Sequence, residues 1–305
     1  MKLVTYRATV EGAARLGVIV GDLVVDAALL GAAYGEPIPD SMLGLIDAGQ
    51  PGLAALSALI ARAGAMPIGT ATALANVTLL APIPRPRKNV FGIGLNYLDH
   101  VAESAAALDT DAALPKQPVI FSKPPTAVIG PNTPIAHNKN ITKQLDWEVE
   151  LGVIIGTTAR RVSRADALNH VFGYTVLIDI SARDCRRAGQ WIYSKGQDTF
   201  CPMGPCIVTA DEIPDPQVLD LWLTLNGVEK QRSNTAMMLF KVDELIADLC
   251  QGITLEPGDI IASGTPAGVG AGRTPQEWMW PGDVLVATVD GIGTLRHSIV
   301  DATPE

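Results

Sequence analysis

The chain has 305 residues, 48% of them apolar and 18% charged, and a net charge of −9. That length allows one large domain or two unequal ones, and the composition excludes extensive disorder. The acidic balance argues against a general nucleic-acid or anionic-membrane binder. Four cysteines, Cys185, Cys201, Cys206 and Cys250, are too scattered for a disulfide scaffold, and no CxxC marks a structural zinc site. They read as small buried hydrophobes of a reducing compartment. No apolar run reaches about 18 residues, and the start, MKLVTYRATVEG, lacks the apolar stretch of a signal peptide. The expectation is a cytoplasmic protein without a membrane span.

In chain order, Gly17–Val20 and Leu23–Asp26 flank Gly21-Asp22, a two-residue hairpin signal. Asp40-Ser41 can cap a short helix, and Pro51-Gly52 interrupts before the helix-forming Leu53–Ala65. Residues 1–80 therefore predict a small α+β domain. The run APIPRPRK, Ala81–Lys88, disfavours helix and stiffens the chain, which places a domain boundary there.

Residues 81–305 are rich in strand patterns: Val90–Ile93, Val119–Phe121, Trp147–Ile155, Tyr174–Ile180, Leu221–Leu225, Ile260–Ala262, Val284–Val289 and Thr294–Ile299. Helical stretches are few, at Tyr97–Leu108, Arg164–His170 and Val242–Cys250. Strands do not alternate regularly with helices, so a doubly wound sheet or a TIM barrel is not expected. A β-rich α+β domain fits better. GxSxG, GxxxxGK[ST] and HExxH are absent, and no glycine loop completes GxGxxG. A nucleotide cofactor is not expected.

The segment Leu145–Ile155 reads as a strand whose Glu148 and Glu150 share one face, with Asp146 also on it. Adjacent carboxylates beside an apolar run are costly to bury unless a cation or protons compensate. Alone, they fit a solvated strand face better. Tyr174–Ile180 is almost wholly apolar but carries Asp179 near its end. Three carboxylates from two strands would make a hard oxygen site suited to Mg²⁺ or Mn²⁺. Asn96–Glu103 places His100 and Glu103 as i,i+3 neighbours on a helix. That pair suits a general base acting through water, and also fits an ordinary solvent-facing pair. His137, His170 and His297 read as structural or surface residues. Tyr193–Gly204 reads as an irregular loop carrying Lys195. Ser263–Gly270 reads as a loop whose amides could approach an anion.

Together and in order, NYLDHVAE, PVIFSKPPTAVIGP, DWEVELGVIIG, HVFGYTVLIDISARD, SKGQDTFCPMGP, TLEPGDIIASGTPAGVG and PGDVLVATVDGIGTLR resemble the fumarylacetoacetate hydrolase family. The resemblance runs from about Pro82 to near Val300, and residues 1–80 look like the small domain of its two-domain bacterial members. It implies a mixed β-roll catalytic domain, a homodimer, and Mg²⁺ or Mn²⁺ on Glu148, Glu150 and Asp179. His100 and Glu103 would be a water-activating dyad on a lid, Tyr97–Leu108, mobile without ligand. Lys195 would neutralise developing negative charge. Arg183, Thr265, Tyr97 and Arg186 would contact substrate.

Two departures matter: Arg186 stands where the family often has glutamine, and Gln197 where it has an aromatic. Arg186 would favour an extra carboxylate if it points inward, and would otherwise be a solvated loop arginine. The implied reaction is hydrolysis of a C–C bond in a 2,4-diketo acid, an acylpyruvate or a diketo-deoxy sugar acid. The alternative is an isomerase or decarboxylase of 2-oxo or 2-hydroxydiene dicarboxylic acids, of oxaloacetate or homoprotocatechuate-pathway type. A non-catalytic binder of anionic metabolites is the reading from another class.

Overall fold

A computed structural model describes residues 1–9, 11–62, 67–107 and 114–302. Its frame is a twelve-stranded sheet. The sheet runs from Ala71–Ala73 through Leu23–Asp26, Arg15–Val20, Lys2–Arg7, Cys201–Thr209, Val171–Ile178, Val149–Ile155, Ile260–Ala262 and Val90–Gly94 to Val119–Lys123. A five-stranded sheet orders Val228–Asn234, Asp220–Leu225, Val284–Val289, Gly293–Asp301 and Ile135–His137. The result is the β-rich α+β fold expected from the strand patterns.

The strand Val149–Ile155 explains how the layers stack. All seven residues are buried, yet the two faces differ because side chains alternate. Val149, Leu151, Val153 and Ile155 pack with Leu221, Leu223, Ala287 and Leu295 of the smaller sheet. On the opposite face, Ile154 and the adjacent strand's Leu177 join Leu45, Ile46 and Leu56. Glu148 and Glu150 lie on that second face, beyond Gly152.

The hairpin around Gly21-Asp22 forms, and Asp26 then caps a helix, Ala27–Tyr34, by accepting the Leu29 amide at 2.8 Å. The sequence signals had not singled out that helix. Met42–Arg62 is helical apart from a break at Gly49 (φ +58°), and Ser41 accepts the Gly44 amide at 3.3 Å. By length and composition it is the one helix among the described residues that could cross a membrane. Its Leu45, Ile46 and Leu56 instead pack into the core beneath the sheet. The continuation to Ala65 and the lid's Leu108 lie outside the described residues.

The N-terminal strands share the large sheet, with Lys2 opposite Val208 and Leu3 opposite Ile207. The proline-rich connector is packed: Ala81 and Ile83 are buried, and the Thr5 hydroxyl donates to the Pro82 carbonyl at 2.6 Å.

Two segments differ from expectation. Cys201–Thr209 is a central nine-residue strand, and Ile192–Lys195 is a short helix. Pro202, Gly204 and Pro205 are turn signals, but a register shift between Tyr174 and Val176 in the adjacent strand accommodates them. Val228–Asn234, VEKQRSN, has no apolar alternation and forms an edge strand.

Candidate active site

The antiparallel register between Val149–Ile155 and Val171–Ile178 sets Val149 opposite Ile178. The Asp179 amide then donates to the Glu148 carbonyl at 2.8 Å, which brings Asp179 beside the two glutamates. One oxygen from each of Glu148, Glu150 and Asp179 lies within 4.8 Å of the others, and all three residues are buried. Asp146, which the strand pattern placed with them, turns away. It sits in a separate two-residue strand and accepts the Gly270 and Ala271 amides at 2.6 and 3.0 Å.

Cations surround the carboxylates. Lys195 Nζ stands 2.8 Å from Glu148 Oε2 and 2.6 Å from Asp179 Oδ2. Lys123 Nζ is 2.5 Å from Asp179 Oδ1 and also donates to the Lys195 carbonyl. Arg183 bridges Asp146 at 2.8 Å and Glu148 at 2.6 Å. Burial alone would raise the Glu148 carboxyl, but Lys195 and Arg183 hold it well below the usual carboxylate range. Burial raises Glu150 well above that range, helped by Asp179 and Glu148. Burial also raises Asp179, against the pull of Lys123 and Lys195.

These residues suit a divalent cation. Asp146, Glu148 and Asp179 each pair with Lys123, Arg183 or Lys195, whereas Glu150 has no ion-pair partner among the described residues. Glu150 Oε2 accepts the Gly264 amide at 2.8 Å, whereas buried Oε1 has no hydrogen-bond partner among the described residues. An orphaned carboxylate oxygen facing two more carboxylates is a ligand position for a hard metal such as Mg²⁺ or Mn²⁺. Such an ion would make the local charge more positive, which favours an anionic substrate.

His100 and Glu103 lie on the helix Leu98–Ala107, with His100 Nδ1 3.1 Å from Glu103 Oε2. A carboxylate there makes Nδ1 the donor and leaves the lone pair on Nε2. His100 lines a pocket with Glu148, Arg183, Arg186, Lys195 and Thr265. The other three histidines are structural or peripheral. His137 Nε2 meets the Thr142 carbonyl, His297 Nδ1 meets the Thr133 carbonyl, and His170 Nδ1 meets Thr157. All four cysteines are buried and unbridged.

The loop Ser263–Gly270 and its continuation do bind anions, but those anions belong to the protein. Gly264 holds Glu150, Gly268 donates to Glu103 Oε1 at 2.9 Å, and Gly270 and Ala271 hold Asp146. One run of backbone amides thus positions a candidate metal ligand, the His100 partner and the carboxylate that orients Arg183. Thr265 lines the pocket, with its hydroxyl donating to the Val149 carbonyl at 2.9 Å.

Tyr97 does not line the pocket. It is fully buried, its hydroxyl has no hydrogen-bond partner among the described residues, and burial with nearby Glu150 pushes its ionisation far up. Arg186 does point inward, with its guanidinium 4.8 Å over the Trp191 ring. Gln197 donates to the Tyr193 carbonyl at 3.2 Å outside this pocket.

Two residues had escaped sequence reasoning. Lys123 ends the apolar strand VIFSK, and a lysine there signals a buried anion partner. Gln231, on the polar edge strand, is 1% exposed. It accepts the Val149 amide at 3.0 Å and donates to the Thr265 hydroxyl and the Pro266 carbonyl, both at 2.8 Å. Nothing in VEKQRSN marks it, because its three partners are distant in sequence.

The family profile described as Fumarylacetoacetate (FAA) hydrolase C-terminal matches residues 89–300. The chain belongs to this family. It is 44% identical over 227 residues, 74% of each chain, to the oxaloacetate tautomerase YisK of Bacillus subtilis strain 168. It is 36% identical to the mitochondrial oxaloacetate tautomerase fahd2 of Xenopus laevis, over 98% of this chain and 90% of that one. Among solved structures it resembles maleylpyruvate hydrolase from Sphingobium sp. SYK-6 in complex with manganese(II) and pyruvate. That match has a TM-score of 0.76 at 32% identity, covering 99% of both chains.

Proposed function

We propose that this chain is a divalent-metal-dependent enzyme that interconverts the keto and enol forms of a small 2-oxo acid, with oxaloacetate the first candidate. The carrying observation is the placement of His100, oriented by Glu103, in one pocket with Glu148 and Lys195. The tautomerase relatives support the choice of oxaloacetate. The manganese and pyruvate in the maleylpyruvate hydrolase structure support Mn²⁺ or Mg²⁺ at Glu148, Glu150 and Asp179.

When bound there, the ion supplies Lewis-acid polarisation of the 2-oxo acid head group. The chain's own residues supply the proton chemistry. His100 Nε2 removes the C3 proton, the C3–H electron pair forms the C2=C3 bond, and the C2 oxygen gains the negative charge. Lys195 compensates that charge from beside Glu148 and Asp179. The imidazolium returns its proton to the C2 oxygen, giving the enol, and the reverse sequence regenerates the keto form. Glu103 stabilises the imidazolium in both directions, held by Gly268.

A second reading, hydrolysis of acylpyruvates, draws on the same pair, since His100 could instead activate a water. One experiment separates the readings. Enol oxaloacetate and acetylpyruvate are followed by loss of enol absorbance with Mn²⁺ and with EDTA, for wild type and His100→Ala. Metal-dependent, His100-dependent ketonisation of oxaloacetate without C–C cleavage is the expected outcome. Pyruvate and acetate released from acetylpyruvate, with oxaloacetate untouched, would replace tautomerisation by hydrolysis. Equal inactivity of both proteins on both compounds would favour a binder.

A further inference from the structure

We infer that Arg186 is the specificity-determining residue of this pocket: its guanidinium, shelved on Trp191, receives a second carboxylate and so selects dicarboxylic over monocarboxylic acids. The inference rests on the proposed 2-oxo acid reading and deepens it.

The argument begins with charge pairing. Arg183 is neutralised by Asp146 and Glu148, and Lys195 by Glu148 and Asp179. Arg186 lines the same pocket, half-buried, and forms no ion pair among the described residues. Both oxygens of Glu148, the nearby carboxylate, are already taken by Arg183 and Lys195. Burial and the neighbouring Arg183 disfavour its charge, with Glu148 opposing them in part. A half-buried guanidinium beside another cation gains from an incoming anion.

The shelf is built rather than incidental. Trp191 lies over Gly94, where a β-carbon would stand 2.5 Å from the indole Cζ3, and its ring tilts against Phe121 at 5.5 Å between centroids. The Trp191 ring lies 4.8 Å from the guanidinium carbon and packs against it, and Arg186 has no ion-pair partner among the described residues. Planar bidentate pairing with carboxylate is the geometry that an arginine provides and a glutamine does not. A divalent cation on Glu148, Glu150 and Asp179 would hold the 2-oxo acid head, and Arg186 the far end.

Calorimetric titration of the Mn²⁺-loaded protein with malate and lactate tests this. The two ligands share a 2-hydroxy acid head and differ in the second carboxylate. Wild type is expected to bind malate about tenfold or more tighter than lactate, the scale of a charged hydrogen-bonded pair. Arg186→Gln should collapse that preference to within about twofold, and Arg186→Lys should retain part of it. Detectable lactate binding by each variant shows that it is folded and that the head-group site is intact. An unchanged malate preference in Arg186→Gln overturns the Arg186 assignment while leaving the 2-oxo acid reading standing. Wild type that binds neither ligand, nor pyruvate, overturns both.

Discussion

Glu103 lies so close to Gly272 that a β-carbon on the glycine would stand 2.2 Å from the glutamate's carboxyl carbon. The carboxyl cannot step aside freely, because one oxygen faces His100 Nδ1 and the other accepts the Gly268 amide. Gly272 therefore sets the position of the His100 partner without touching substrate.

Gly272→Ala should lower kcat on enol oxaloacetate by about 10- to 100-fold, the scale of a misplaced catalytic group. His100→Ala should cost about 100-fold or more. If the glycine acts through the pair, the double variant will be no slower than His100→Ala alone. Steady-state kinetics on the three variants read this directly, and additive losses would sink the idea.

Gln231 ties the peptide between the two candidate metal ligands, Glu148 and Glu150, to the loop that holds Glu150. Gln231→Leu leaves the Val149 amide and the Pro266 carbonyl without their buried partner. Mn²⁺ affinity, measured by electron paramagnetic resonance titration, should fall about 10- to 100-fold. Gln231→Glu keeps the acceptor for Val149 but loses the donors, so an intermediate loss is expected. Mn²⁺ binding at wild-type strength in both variants would make Gln231 a packing residue only.

The pH dependence of metal binding follows from Glu150 and Asp179. Burial raises both above the unfolded values, with neighbouring carboxylates adding to it. The native metal-free protein then holds more protons than the unfolded chain. Its stability must fall as pH rises from the ordinary carboxylate range through the raised values. A divalent cation replaces those protons and removes the penalty. The Mn²⁺-induced rise in Tm should therefore grow between about pH 5 and pH 8 in differential scanning fluorimetry. A shift that shrinks over that interval would contradict the assignment.

Lys123 and Asp179 form an ion pair with no solvent exposure on either side chain. Lys123→Met removes the ammonium and leaves Asp179 more dependent on Lys195. Breaking a buried pair costs about 3–5 kcal/mol. Urea unfolding should show a loss of that order in EDTA and a smaller one in Mn²⁺, because the ion supplies part of the missing field. Equal losses in the two conditions would separate Lys123 from the metal site.

The candidate metal ligands were legible because the strand pattern and the cost of burial agree. Glu148 and Glu150 alternate onto one face of a strand that is otherwise apolar, and Asp179 interrupts another apolar strand. Helical spacing made His100 and Glu103 neighbours, and the family resemblance gave the pair its role. Arg186 was visible as a departure from the family pattern, but its direction was not. The central strand Cys201–Thr209 was hidden by Pro202, Gly204 and Pro205, whose local preference is for turns. A neighbouring strand's register shift overrode that preference.

The sequence by itself determined the strand-rich class, and offered the carboxylate triplet and the histidine–glutamate pair as candidates that the family resemblance then singled out. Each depends on a local period or on the solvation cost of a charge in an apolar run, and both are written in the order of residues. Only the tertiary structure decided what those groups meet. The amides of Gly264, Gly268 and Gly270 carry no side-chain signature, and Gln231, Lys123 and Trp191 reach their partners across long stretches of chain. The same is true of Arg186: its role comes from both oxygens of Glu148, the nearby carboxylate, already being held by Arg183 and Lys195.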